Sequence, residues 1–241
     1  MGDATDGLSI DTADDGVVLV TLDRGPDNLF SIEMCHRLAA LLEDPPEGAH
    51  VLRLRAAGPT FCLGRDRGGT ALAPGEVRAE AQALVRLTRA IPRSRLVTVA
   101  EVQGDAAGFG VGLVAAFDVS VAVRAASFRF PEVGIGLAPA LVLAWLPRVV
   151  GRREAFWLTA TGEALTASRA HELGMLNAVV DDEAELGARV DAAVAALRAG
   201  SPRVHGDIKD MLRGFGDLGD ETALEVSLDR LVVGSLRRGE A

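Results

Sequence analysis

The chain has no tyrosine and a single lysine, Lys209, although it carries 25 basic residues. Nearly every cationic contact available to it is therefore an arginine. Aromatic residues make up 4%, few for the stacking platforms that hold nucleic acid. The net charge of -9 also opposes nucleic acid and anionic membrane as bulk partners. Two cysteines are present, Cys35 and Cys62, with neither metal-ligand spacing nor the look of a disulfide framework. A reducing, cytoplasmic setting is the expectation, and no metal site is expected. Long apolar runs are missing too. The longest, 111–123, is interrupted by Asp118 and falls short of the roughly 20 residues a membrane-spanning helix needs. The N-terminal MGDATDGLSI lacks the basic and apolar regions of a signal peptide.

What is present describes an ordinary globular chain of 241 residues, 49% hydrophobic and 24% charged. That length supports a core burying roughly three quarters of the unfolded surface. Apolar, β-rich segments at 16–22, 50–55, 96–102, 119–123, 128–130 and 176–180 read as strands. Ser31 caps a helix over 32–43 that Pro45-Pro46 ends, and a second helix covers 77–90 before Pro92. Between them, 66–76 is rich in glycine and poor in large side chains, the pattern of a mobile loop. From Ala140 the pattern is helical, over 140–149, 152–160, 167–173, 184–199, 202–213 and 221–236. Thr166 caps the third of these and Gly174 ends it. The order predicts an α/β fold: an N-terminal sheet with crossover helices, then a helical region.

Two glycine-centred turns and one carboxylate carry the chemistry. The turns are FCLGRD (61–66) and VQGDAAGFGVGL (102–113), and the carboxylate is Glu132 in FRFPEVGIGL. Glycine lets the main chain approach a ligand closely, and an N–H at a helix start has no intrahelical partner. Two such amides on separate turns could share one anionic oxygen, each contributing about 3 kcal/mol of transition-state stabilisation. Taken singly, the same glycines also serve tight turns and helix–sheet packing. Residues 108–112 read G-x-G-x-G, not the G-x-G-x-x-G of a dinucleotide site, and no phosphate-loop G-K-[ST] is present. Glu132 is flanked by Phe128, Phe130, Pro131, Val133, Ile135 and Leu137. An apolar setting of that kind raises a carboxyl pKa and suits a proton carrier. A partly exposed strand-end glutamate paired with Arg129 is the plainer reading of the same segment.

Together the three segments resemble the enoyl-CoA hydratase/isomerase family, the crotonases. FCLGRD is similar to the family's F-C-x-G-x-D turn, and VQGDAAGFGVGLVAAFDVSVA to its V-x-G-x-A-x-G-x-G…D segment. FRFPEVGIGLAP resembles the motif whose glutamate is a catalytic acid/base. Weaker echoes are Asn28-Leu29 and LTATGEALTASRAHELGMLNAVV at 158–180. The resemblance, over about 8–236, implies a crotonase-like ββα spiral core at 1–181 and a C-terminal helical oligomerisation region at 182–241. It also implies a homotrimer or a dimer of trimers. The substrate it implies is an acyl-CoA thioester, with no separate cofactor because coenzyme A belongs to the substrate. It places the oxyanion donors on the main-chain N–H of Arg65 and Phe109, and the acid/base on Glu132. Substrate contacts fall on Arg24, Asp66, Arg67 and Gly110, with Arg24 and Arg67 facing phosphates. Asp66 fits a turn or helix cap better than a catalyst.

Two departures shape the expectation. Gly112 stands where hydratases of the family carry the first of two glutamates. One carboxylate can still move a proton from C2 to C4 of an enoyl thioester, so a double-bond shift is expected ahead of hydration. Hydration, other acyl-thioester chemistry and a non-catalytic partner subunit stand as alternatives. The family often has a glycine pair after the proline of its third motif, whereas Ala140-Leu141-Val142-Leu143 follow Pro139, which predicts a reshaped acyl pocket.

Overall fold

The computed structural model describes residues 6–13, 15–68, 73–216 and 218–237. Along the chain run β1 (Leu8–Thr12), β2 (Val17–Leu22), α1 (Ile32–Glu43), β3 (Val51–Ala56), β4 (Thr60–Cys62), α2 (Pro74–Arg93), β5 (Val97–Val102) and β6 (Asp105–Ala107). There follow α3 (Phe109–Ala116), β7 (Val119–Val123), β8 (Ser127–Arg129), a 3-10 turn at Pro131–Ile135, α4 (Ala140–Leu143) and α5 (Leu146–Val150). The remainder is α6 (Arg152–Thr161), β9 (Leu165–Thr166), α7 (Ala167–Glu172), β10 (Ala178–Val180), α8 (Glu183–Arg198), α9 (Pro202–Phe215) and α10 (Asp220–Leu236).

Six strands form the larger sheet in the order β1-β2-β3-β5-β7-β10. Only β1 and β2 pair antiparallel; the other neighbours are parallel. In β5 five of the six residues are buried, the reason it reads as a near-continuous apolar run. The second sheet, β4-β6-β8-β9, has three parallel strands and a short antiparallel edge. α1 and α2 pack on each other, burying Met34, Leu38 and Leu42 of one and Ala83, Leu87 and Ile91 of the other. Each of the larger side chains contributes about 1.5–3 kcal/mol by leaving water.

The expected caps are present: Ser31 accepts from the Met34 N–H, Thr166 accepts from the Arg169 N–H, and Gly174 has φ +83° just beyond α7. Helix boundaries differ by more than two residues in two places. α2 begins at Pro74, whose fixed φ suits a first turn, and runs through Pro92 to Arg93. Pro92 lies in the last turn, where the loss of one hydrogen bond does not break the helix. The expected loop 66–76 is correspondingly shorter, and its residues 69–72 lie outside the described residues, as do 1–5 of the N-terminal segment. The single helix expected over 140–149 is two short ones, interrupted where Trp145 leaves helical geometry (φ -138°) before Pro147.

α8 lies against the large sheet through Leu186, Val190 and Val194. α9 is tied down by Lys209, 9% exposed, which donates to the Ile91 and Leu96 carbonyls and to Asp118 Oδ2 at 2.6 Å. α10 has no buried residue among those described, and Leu224, Leu228, Leu231 and Leu236 are exposed. Among the described residues no helix is long and apolar enough to cross a membrane.

Candidate active site

Because β4, β6 and β8 are parallel neighbours, they leave the small sheet along the same edge. Parallel sheets gather ligands at the C-terminal ends of their strands. Here β4 runs into Gly64-Arg65, β6 into Gly108-Phe109, and β8 into Pro131-Glu132. A cavity of about 390 Å³ is lined by Arg65, Arg67, Phe109 and Glu132, with apolar walls from Leu63, Val77, Leu84, Leu141 and Val142.

The two turns touch. Gly64 has φ +124°, and a Cβ placed on it would lie 3.5 Å from the Ala107 carbonyl oxygen. Phe30 forms a parallel bridge with Arg65: its N–H donates to Gly64 O, and its carbonyl accepts from the Asp66 N–H, both at 2.9 Å. That pattern uses the groups on either side of Arg65, so the Arg65 N–H points away from Phe30. The expectation of a helix start therefore holds for one amide only. Arg65 lies in an extended segment, while Phe109 is the first residue of α3 and its N–H is one of the donors a helix leaves unpaired. The Phe109 ring packs against Phe30 at a centroid distance of 5.5 Å.

Glu132 lies over the second turn. Gly108 has φ +50°, which favours glycine, and a Cβ on it would come within 2.7 Å of Glu132 Oε1, so any side chain there would displace the carboxylate. The other oxygen, Oε2, is buried and has no hydrogen-bond partner among the described residues. Burial raises the carboxyl pKa, while a main-chain hydrogen bond at Glu132 itself and the Arg67 charge pull it partly back. This is a carboxyl group suited to accept and return a proton. Inside α3, a Cβ at Gly112 would meet Val142 Cγ2, a side chain of the cavity lining, at 3.4 Å. The position lacking a second carboxylate is thus faced by valine.

Three of the residues expected at the substrate, Arg24, Asp66 and Gly110, do not line this cavity. Arg24 pairs with Asp66 at 2.6 Å and also donates to the Leu29 carbonyl; neither Arg24 nor Asp66 lines the cavity. The Gly68 N–H and then Arg24 hold the Asp66 carboxyl below its usual range, which agrees with its reading as a turn residue. Gly110 sits inside α3, where a Cβ would be 2.1 Å from Cys62 O. Glycine there permits close packing of α3 on β4. The Arg65 side chain pairs with Glu80 at 2.7 Å, leaving its main chain to the cavity.

Asn28 is the positioning residue that the sequence marked only faintly. It is fully buried at φ +46°; its Nδ2 donates to Ala57 O and Thr60 O, and its Oδ1 accepts from the Arg24 N–H. It thereby fastens the β2–α1 connection to β4. The walls from α2 carried no local signal, because Val77 and Leu84 face the cavity only once α2 has packed. Neither cysteine is a nucleophile: burial pushes the thiol of Cys35 up to about 12 and that of Cys62 to about 11. Among the described residues no cluster of His, Cys, Asp or Glu could hold a metal ion.

The enoyl-CoA hydratase of Mycobacterium smegmatis superposes with a TM-score of 0.89 at 28% identity, over 96% of this chain and 92% of that one. A putative enoyl-CoA hydratase from Thermobifida fusca YX, solved in complex with CoA, superposes with a TM-score of 0.86 at 27% identity, over 98% and 95%. These neighbours define a crotonase-like α/β fold with a C-terminal helical region. The chain belongs to the enoyl-CoA hydratase/isomerase family, whose model matches residues 12–228. The 1,2-epoxyphenylacetyl-CoA isomerase of Escherichia coli K12 is 36% identical over 181 residues, 70% of this chain and 68% of that protein. A probable enoyl-CoA hydratase of Rhodobacter capsulatus is 35% identical over 176 residues, 70% and 66%. The matched stretches span about two thirds of those relatives.

Proposed function

We propose that this enzyme shifts the double bond of an enoyl-CoA thioester, with Glu132 as its single acid/base. The observation that carries the reading is the seat of that carboxylate: it rests on the Gly108 turn with Oε2 buried and unpartnered, in a cavity whose lining includes Val142 and no second carboxylate. Glu132 removes the C2 proton of a 3-enoyl thioester, and the electron pair spreads onto the thioester carbonyl. The enolate oxygen accepts hydrogen bonds from the N–H groups of Arg65 and Phe109. The same carboxyl then delivers its proton to C4, giving the 2-enoyl isomer with no net gain or loss of atoms. Arg67, at the cavity, meets the phosphates of coenzyme A, while Arg24 holds Asp66 behind it. Support for the ligand comes from the T. fusca neighbours, solved with CoA and with acetoacetyl-CoA.

Hydration is the second reading, favoured by the names of several relatives and neighbours. It requires a group other than residue 112 to hold the attacking water. We further propose that the apolar face of α10 and the helices before it join copies of the chain into a trimer. NMR in D₂O on 2-enoyl- and 3-enoyl-CoA thioesters tests the chemistry. Deuterium entering C2 or C4, abolished in Glu132→Gln, is the expected result. A thioester that binds yet shows neither exchange nor bond migration sinks the single-base mechanism, and a hydroxyacyl product moves the assignment to hydration.

A further inference from the structure

The arginines of α2 gather on a second cavity that the chemistry above does not use. It has a volume of about 1080 Å³, lies between α1 and α2, and is lined by Arg78, Arg86, Arg89, Arg93 and Arg95. Five arginines there face two acids, Glu43 and Asp44, in a chain whose net charge is -9. Arg86 is engaged by Glu43, and Arg95 by the Pro45 carbonyl, each at 2.6 Å. Among the described residues Arg78, Arg89 and Arg93 have no such partner. Arg89 and Arg93 also line the adjoining depression beside Arg213, so the positive strip continues past the end of α2. At its other end the strip meets the catalytic cavity: Ala81 borders both. From Ala81 to Arg93 the helix covers about 18 Å at the usual rise per residue.

We propose that this strip docks a small acidic carrier protein, which presents the acyl thioester to Glu132 on a phosphopantetheine arm; the inference rests on the acyl-thioester reading above. Free guanidinium groups on one helix face suit carboxylates of an opposing acidic helix, which they pair bidentately. The positive field is local in an otherwise acidic chain, so it steers an acidic partner to this face and orients it. An extended strip of exposed arginines suits a macromolecular surface better than one small anion. The cavity between α1 and α2 holds no aromatic ring on which bases could stack, and the adjoining depression holds one, Trp145, which disfavours RNA.

The test compares a 3-enoyl group carried on a fatty-acid acyl carrier protein with the same group on coenzyme A, using wild type, Arg89→Glu/Arg93→Glu and Arg89→Gln/Arg93→Gln. Neither arginine lines the catalytic cavity, so turnover of the CoA thioester stays within about twofold and reports that the variants fold. For the carrier-bound substrate, KM is expected to rise about tenfold or more in the Glu pair and less in the Gln pair. The difference should shrink as salt is added. An unchanged KM on the carrier in both variants overturns the proposal. So does a strip that binds RNA, anionic vesicles or a second copy of this chain, but not the carrier, in anisotropy titrations. If wild type turns over neither thioester, the function reading fails; anisotropy with labelled carrier still decides docking independently.

Discussion

The two sheets of this protein are built to different specifications. In the six-stranded sheet the strands have five or six residues, apart from the three-residue β10, and Val20, Leu54 and Val99 are fully buried. In the four-stranded sheet no strand exceeds three residues. Its critical contacts are made by main chain: a Cβ at Gly104 would lie 2.1 Å from Pro59 O, and one at Gly110 2.1 Å from Cys62 O. The large sheet is held by side-chain volume, which tolerates adjustment. The small one is held by backbone proximity, which does not. The second fixes where the turns of Arg65 and Phe109 and the Glu132 carboxylate meet.

That contrast can be broken in graded steps. Glu132→Gln should lower turnover by about 10²–10⁴-fold, the usual contribution of one acid/base, with substrate binding retained in a calorimetric titration. Gly108→Ala places a methyl 2.7 Å from Glu132 Oε1 and should lower turnover by about 10²-fold through displacement of the carboxyl. Circular dichroism should show a folded protein. Leu54→Ala, in the large sheet, should do the reverse. It should destabilise by about 2–5 kcal/mol in urea titration and leave turnover of the remaining folded protein intact. Equal losses of activity and stability in Gly108→Ala and Leu54→Ala would erase the distinction between the sheets.

The smallest effect concerns pH. Burial lifts the Glu132 pKa above its ordinary 4.5, so the folded state holds this proton more tightly than the unfolded chain. Wild type should therefore lose stability relative to Glu132→Gln as pH rises through the interval above 4.5, and the gap should close at more acidic pH. Over the same interval kcat/KM should climb to a plateau as the base ionises. Paired thermal melts and a pH–rate profile check both. A melting difference that widens toward acid would mean that Glu132 is stabilised as the carboxylate.

Legibility followed the same division. β5 and β7 were readable because several buried residues in a row make an apolar segment, β2 because it is β-rich and mostly apolar, and β3 because its residues alternate. β4, β6 and β9 were not, since two or three residues carry no periodicity. Glu132, Arg65 and Phe109 were reachable only through motifs, which record spacing rather than contact. The Arg24–Asp66 pair was not legible, because a sequence shows charges without their partners. The apolar setting expected around Glu132 is also uneven: Phe128 and Phe130 are buried, whereas Ile135 is 62% exposed. Alternation along a segment cannot tell which apolar neighbours turn inward.

Lys209 carries one more consequence. Acyl thioesters modify amines without any catalyst, and a protein that concentrates them risks acylating itself. The only ε-amine of this chain is 9% exposed and is held by Asp118 and two carbonyls, while its other side-chain cations are guanidinium groups or imidazoles. An amine so enclosed is a poor nucleophile, because attack requires room for the incoming carbonyl. The folded protein should therefore resist the adventitious lysine acylation that the proposed thioester substrates would inflict on a lysine-rich surface.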